Sequence, residues 1–390
     1  MRKGLFLGPI ESVCLKRESI ERFLYFKQNI FKNMKNTDRK FADFTGISIF
    51  SGIDSHRKSW RVTIRTQNTE LKIMSMDPSP KLLADHLRKN YPGGIYYAVY
   101  EAGYFGFWIA RELISLGIKC MVVNPADIPT MNKEKDQKED GRDSRKLARE
   151  LSSGSLVGIY IPPFVHEADR DLVRRRGDIV TSQTKTKNQI KAMLERYDQR
   201  YPGEEKGHWS RAYIQWLETM NMGHESANLT LKSRLRSLQE ASAHIRDHNR
   251  LLRSLAKEER YAHQIKLLKE IPSVGPVTSM VLLSELGDVK RFKTLDALCS
   301  FVGLVPSTKS SGERERVGRM SNRGNAHIKA VLIECAWVAR RQDPALALCY
   351  ENLVKRMKGQ KAIIRIAKKL LSKIRHVLLH KESYVIGLVA

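Results

Sequence analysis

The chain has 390 residues, with 69 Lys and Arg against 42 Asp and Glu, a formal net charge of +27. A hydrophobic share of 42% and a charged share of 28% are globular values that exclude wholesale disorder, and no apolar run reads as a membrane-crossing helix. The basic excess calls for a polyanionic partner, of which nucleic acid is the commonest; the five cysteines, none in a CxxC or CxH pair, exclude a zinc finger and suit a reducing, cytoplasmic compartment.

Residues 1–45 read as a basic N-terminal extension. From residue 46 the pattern becomes strand-rich: "GISIFSGID", "WRVTIRT" and "ELKIMSM" are three candidate strands with "HRKS" as a turn. "PSPKLLADHLRKNY" carries a helix start signal and helical spacing at Leu82, Leu83, His86 and Leu87. "IYYAVYEAG" is a fourth strand, "YFGFWIARELISLG" a helix ending at Gly117, "IKCMVVNP" a fifth strand stopped by Pro125, and "DSRKLARELSSG" a helix stopped by Gly154. A three-strand meander followed by alternating helix and strand is the layout of the ribonuclease-H-like fold; a flavodoxin-like sheet would begin with a strand–helix–strand crossover. This predicts an α/β domain over 46–164.

Four acids fall on informative positions of that layout. Asp54 ends the first strand and Glu101 ends the fourth, which neighbours it in such a sheet; Asp140 and Asp143 are spaced i, i+3 at the start of the last helix. Carboxylates converging at one sheet edge would hold two Mg²⁺ ions, hard cations that take oxygen ligands. Glu134, Asp136 and Glu139 are the substitutes if the register at Asp140 is shifted, and Gly141 weakens the helix there. A lone Asp after a strand is more often a cap or turn residue, so the reading rests on the joint placement.

Residues 165–262 read as a helical spacer. Leu231, Leu235, Leu238, Ile245 and Leu252 form a coiled-coil-type seam, or equally the inner face of one amphipathic helix packed on its own domain. Residues 263–390 read as a basic helical domain. "KEIPSVGPVTSMVLLSELGD" sets Pro272, Gly275 and Pro276 before an apolar helix, like a helix-hairpin-helix whose turn amides face a phosphate; an ordinary helix corner is the alternative. The C-terminal stretch carries an apolar stripe, Ile363, Ile366, Leu370 and Ile374, among basic residues that include Lys368, Lys369 and Lys373. Between these lies "PSTKSSGERERVGRMSNRGN", in which Ser310 and Ser311 precede Arg314, Arg316, Arg319 and Arg323. That segment reads either as a basic loop that grips phosphate or as one that presents a serine for chemistry.

Taken together, "GIDSHRKSW", "YEAGYFGFWIARELISLGIKCMVVNP", "KEDGRDSRKLAREL", "LVRRRGDIVTSQTKTKNQI", "IPSVGPVTSMVLLSELGDVKRF", "FVGLVPSTKSSGE" and "MSNRGNAHIKAVLIECAW" resemble, in order, the DEDD transposases of insertion-sequence family 110 over about residues 46–385. That family includes the pilin-gene invertases and the bridge-RNA-guided recombinases. The resemblance implies a RuvC-like N-terminal domain, a coiled-coil middle used for dimer and tetramer contacts, and Mg²⁺ held by Asp54, Glu101, Asp140 and Asp143. It puts the nucleophilic serine at Ser311, with Ser310 as the rival. It implies target and donor double-stranded DNA as partners and, in guided members, a structured non-coding RNA. Two departures stand out: the 45-residue lead-in is extra, and Ser144 follows the last acid where Ala is usual. The reading is therefore a transposase that cuts and rejoins DNA through Ser311. Its rivals are a RuvC-type endonuclease using water and a non-enzymatic nucleic-acid scaffold.

Overall fold

The computed structural model describes residues 43–129, 140–203, 209–311, 314–320 and 323–387. The chain divides into two compact units after Pro162. The N-terminal extension falls almost wholly outside the described residues, as do Glu134, Asp136 and Glu139.

In the first unit, β1 (Ser48–Ser55), β2 (Trp60–Arg65) and β3 (Glu70–Met76) form an antiparallel meander, and β4 (Ile95–Glu101) and β5 (Lys119–Val123) add in parallel on the other side of β1. The sheet order β3-β2-β1-β4-β5 is the one expected of a ribonuclease-H-like domain. Helices cover both faces, as a parallel core requires. On one face α1 (Pro80–Asn90) and α2 (Trp108–Ser115) pack through Leu83, Leu87, Ile109 and Leu113 onto Ile49, Ile53, Trp60, Val62 and Tyr100. Helix α1 starts where the sequence signals it, with Ser79 accepting from the Leu82 amide and Pro80 as the first helical residue. On the other face α3 (Asp140–Ser153) packs Leu147 and Leu151 onto Phe50, Val99 and Val123.

The second unit is mainly helical. Its long helices α4 (Phe164–Arg196) and α6 (Glu225–Leu255) run antiparallel, pinned by Arg176 to Asn249 at 2.8 Å and Gln183 to Ser242 at 2.9 Å. With α5 (Arg211–Thr219) they close the predicted seam inside the chain: Leu231, Leu235 and Leu238 are buried with Ile190, Met193, Leu194, Tyr213 and Leu217. Ile245 is half-buried, and Leu252 belongs to the larger core of this unit. The amphipathic-helix alternative thus describes the observed packing, while two exposed leucines, Leu229 and Leu251, remain on the outer surface of α6.

The rest of the second unit comprises α7 (Glu259–Lys269), α8 (Pro276–Leu286), α9 (Leu295–Val302), α10 (Ala326–Gln342), α11 (Pro344–Val354) and α12 (Gly359–His380), with a two-stranded hairpin, β6 (Pro306–Ser311) and β7 (Arg314–Met320). Val173, Leu252 and Leu255 of the expected spacer share one core with these helices, so the expected boundary at 262/263 falls inside α7 and inside continuous packing. The predicted stripe is confirmed: Ile363, Ile366, Leu370 and Ile374 of α12 are all buried. The hairpin departs from the reading of that segment as a loop. Its strands are polar, so no apolar alternation announced them, although Ser311-Gly312 reads in the sequence as a turn-type dipeptide.

Candidate active site

Parallel pairing of β1 with β4 runs in a constant register from Ser48↔Ile95 to Ile53↔Tyr100. The next step sets Asp54 beside Glu101, at the carboxyl ends of two adjacent strands. Side chains alternate along a strand. Ile53 and Tyr100 belong to the core under α1 and α2, so Asp54 and Glu101 face the opposite side, the one covered by α3. Both acids are half-buried. Carboxyl ends of parallel strands are where open α/β sheets bind ligands.

Helix α3 is brought onto that face by a glycine. A Cβ on Gly52, two residues before Asp54, would lie 2.2 Å from the Ser144 carbonyl oxygen and 2.4 Å from the Ala148 amide nitrogen. Only a residue without a side chain lets the helix backbone lie directly on β1. Beside this contact, Ser144 Oγ and Thr63 Oγ1 are buried and 2.9 Å apart, a hydrogen bond from α3 to β2. The departure at Ser144 thus has its partner in the neighbouring strand. With Leu147 and Leu151 packed further back on Phe50 and Val99, the first turn of α3, which carries Asp140 and Asp143, lies toward the edge where β1 and β4 end. Asp143 is exposed; the side chain of Asp140 lies outside the described ones. Among the described residues no group of three or more His, Cys, Asp and Glu stands close enough to hold a metal ion.

Two further side chains at this edge were not singled out from sequence. His56 Nε2 lies 3.2 Å from Asp54 Oδ2, with His56 largely exposed. Arg61 is the register partner of Asp54 on β2 and donates to Ser75 Oγ at 2.9 Å. The D-x-H spacing on an extended strand was the available signal for His56, since i and i+2 share a face.

In the second unit Ser311 is the last residue of β6, paired across the hairpin with Arg314, while Ser310 pairs with Glu315. The side chains of Ser310, Ser311, Arg314, Arg316 and Arg319 lie outside the described ones; Arg323 is exposed. The base of the hairpin is tightly held. A Cβ on Gly324 would lie 2.2 Å from Gly303 Cα, so the chain before β6 and the chain after β7 touch backbone to backbone. The Asn325 amide donates to the Phe301 carbonyl at 2.8 Å, and its side chain caps α10 by accepting from the Ile328 amide. Asn325 Nδ2 also donates to Glu285 Oε2 at 2.7 Å, and Glu285 accepts a two-pronged pair from Arg174 at 2.6 and 2.8 Å. Burial by itself would raise the Glu285 pKa, but the bonds from Arg174 and Asn325 outweigh it and hold the carboxyl below its usual range. Three separate stretches noted in the sequence meet in this cluster, which no spacing rule connects.

The basic residues of α12 divide. Lys369 is exposed and Lys368 half-buried. Lys373 is engaged within the fold: its ammonium lies 3.1 Å from Asp343 Oδ2 and 2.8 Å from the Tyr384 hydroxyl, and the Asp343 side chain is fully buried. Asp343 also caps α11, accepting from the Ala345 and Leu346 amides. At the expected helix-hairpin-helix turn, Ser273 adopts φ +76° and Gly275 caps α8 with no side-chain bond.

Two family descriptions match the chain. Residues 51–198 match a transposase model of the DEDD IS110 type, and residues 265–351 match the transposase IS116/IS110/IS902 family. Both matched stretches are thus similar to transposases of the IS110/IS116 type. The y4qE protein of Sinorhizobium fredii, a transposase by name, is 30% identical over 63% of this chain and 58% of its own length. The transposase for insertion sequence element IS1533 of Leptospira borgpetersenii is 24% identical over 75% of this chain and 85% of its own. The transposase for IS1111A of Coxiella burnetii is 24% identical over 71% and 76%. The chain thus spans little more than half of the first of these relatives. Asp54 and Glu101, at the ends of neighbouring strands, carry the hard oxygen donors that a divalent cation such as Mg²⁺ takes. No helix among the described residues is long and apolar enough to cross a membrane.

Proposed function

We propose that this chain is the transposase of an insertion sequence and cuts and rejoins DNA with Ser311 as its nucleophile. The reading is supported by the parallel β1–β4 register, which runs to Ile53↔Tyr100 just before Asp54 and Glu101, and by α3, which begins with Asp140 and Asp143 and packs on that face of the sheet. These four acids would hold two Mg²⁺ ions. When bound, such ions supply Lewis-acid stabilisation of the phosphodiester oxygens.

The protein's own part is positioning and nucleophilic attack. A serine hydroxyl needs activation near neutral pH, and presenting it at the end of a strand clamped at its base reduces the freedom lost on reaching the phosphate. Ser311 Oγ would attack phosphorus and lose its proton, and the bond to the 3′ oxygen would break. A phosphoserine linkage and a free 3′-hydroxyl result, and rejoining is the reverse attack by a 3′-hydroxyl. Arg314, Arg316, Arg319 and Arg323 supply charge for the DNA backbone, as do Lys368 and Lys369. The partners in this reading are target and donor double-stranded DNA, a structured non-coding guide RNA and further copies of the chain, from dimer to tetramer.

The test is a covalent adduct. Wild-type protein with Mg²⁺ and a nicked suicide DNA should give a denaturant-stable protein–DNA species. That species should vanish in Ser311→Ala and in Asp143→Ala, and persist in Ser310→Ala. Nicking without adduct that survives Ser311→Ala would instead identify a water-using endonuclease. Full recombination by Asp54→Ala would leave the acids structural.

A further inference from the structure

The loop after β4 sets an aromatic ring into solvent beside the acids. Gly103 and Gly106 close a β-turn, with the Gly106 amide donating to the Gly103 carbonyl at 3.1 Å, and Tyr104 sits at its first corner. Pro is the residue most favoured at such a corner. Tyr104 is 89% exposed, the most exposed of the large apolar residues among those described. The turn that presents it is firmly held. The buried Tyr100 hydroxyl donates to the Gly106 carbonyl at 2.8 Å, the Ala102 amide donates to Val123 at 2.7 Å, and Phe105 and Phe107 pack against the core below α1 and α2. The Phe105 ring meets Tyr104 edge-on at 5.5 Å. Across the same sheet edge the loop after Asp54 exposes His56, Arg57 and Lys58.

We propose that Tyr104 stacks on an unpaired base of the DNA strand being cut. This rests on the acid-site reading above. An exposed, rigidly held ring suits the flat π surface of a base, and the adjacent cationic loop supplies the sign that a phosphate backbone needs. Tyr104 is three residues beyond Glu101, so its Cα lies at most about 11 Å from that acid. At a rise of about 3.4 Å per nucleotide, this is within roughly three nucleotides of the cut. A ring held rigidly there can take the place of a neighbouring base in the stack, easing the strand away from its complement.

The experiment uses full-length protein and a duplex spanning the element's end and its flank, with 5-iodo-2′-deoxyuridine in place of thymidines near the junction. It is run at a concentration where gel shift shows complete binding. Long-wavelength irradiation couples that base to a stacked aromatic ring. Peptide mapping should find the adduct on Tyr104, present also in Asp54→Asn and absent in Tyr104→Ala. Tyr104→Ala should slow cutting of paired DNA on the order of tenfold, Tyr104→Phe should cut nearly as wild type, and a mismatch at the stacked position should restore the Ala variant. Adducts confined to other residues, or wild-type cutting of paired DNA by Tyr104→Ala, would overturn the proposal. Wild-type cutting by Asp54→Asn would instead overturn the acid-site reading and leave the adduct result standing.

Discussion

Replacing Gly52 by alanine adds one methyl group at the point where α3 rests on β1. The added carbon would lie 2.2 Å from the Ser144 carbonyl oxygen, against the 3.4 Å at which ordinary contact begins, so the helix must retreat by about 1.2 Å (3.4 − 2.2). Both atoms it meets first are backbone, and no side chain can swing away. Overpacking of this kind costs about 1–3 kcal/mol, and the Thr63–Ser144 hydrogen bond stretches with it. The functional loss should be larger than the stability loss. Asp143 sits next to Ser144 and moves with the helix, and misplacing a reacting group by about 1 Å can cost on the order of a hundredfold in rate. The assay pairs urea unfolding of the full-length variant with suicide-substrate adduct formation, at a temperature where the variant is fully folded. Expected are a lowered midpoint and an adduct yield reduced by about two orders of magnitude, with DNA gel-shift affinity unchanged. A folded Gly52→Ala protein forming adduct at the wild-type rate would refute the claim that this contact positions the acid.

The Thr63–Ser144 pair gives a second test: Ser144→Ala takes away the bond that the buried Thr63 hydroxyl makes and should cost about 1–3 kcal/mol, and adding Thr63→Val should cost less than the sum of the two single variants in a urea cycle. Strict additivity would mean the bond contributes nothing. Glu285 predicts an acid-sensitive second unit. Its folded carboxyl ionises below its unfolded value, so the stability it adds is present above about pH 4.3 and is lost as pH falls through the folded value. Glu285→Gln should flatten that slope in pH-resolved thermal unfolding, and an unchanged slope would count against it. DNA affinity should fall steeply with salt, by about tenfold or more for a few-fold rise. Lys368→Gln with Lys369→Gln should reduce the salt slope without altering site preference, whereas Lys373→Gln should lower the unfolding midpoint because its ammonium is bonded to Asp343.

Much of the first unit was legible in one dimension. Strand alternation, the Ser79-Pro80 start, the stops at Gly117, Pro125 and Gly154, and the order of elements are set by local sterics and apolar period, which act over a few residues. The stripe of α12 was legible for the same reason. The acids could be placed at strand and helix ends, but their adjacency depends on the β1–β4 register, a pairing between segments 47 positions apart (Ser48↔Ile95). Three features belonged to tertiary structure alone. The polar strands β6 and β7 lack the alternation that marks a half-buried strand and are held instead by backbone pairing and the Gly303–Gly324 contact. The heptad leucines of α6 have the same spacing whether their cover is another chain or α4 and α5, and only the packed fold shows that it is the latter. Lys373 looked like any other basic residue on an amphipathic helix until folding buried Asp343 beside it. A side chain's charge is written in the sequence, but whether that charge is free for a ligand depends on which distant group the fold brings within about 3 Å.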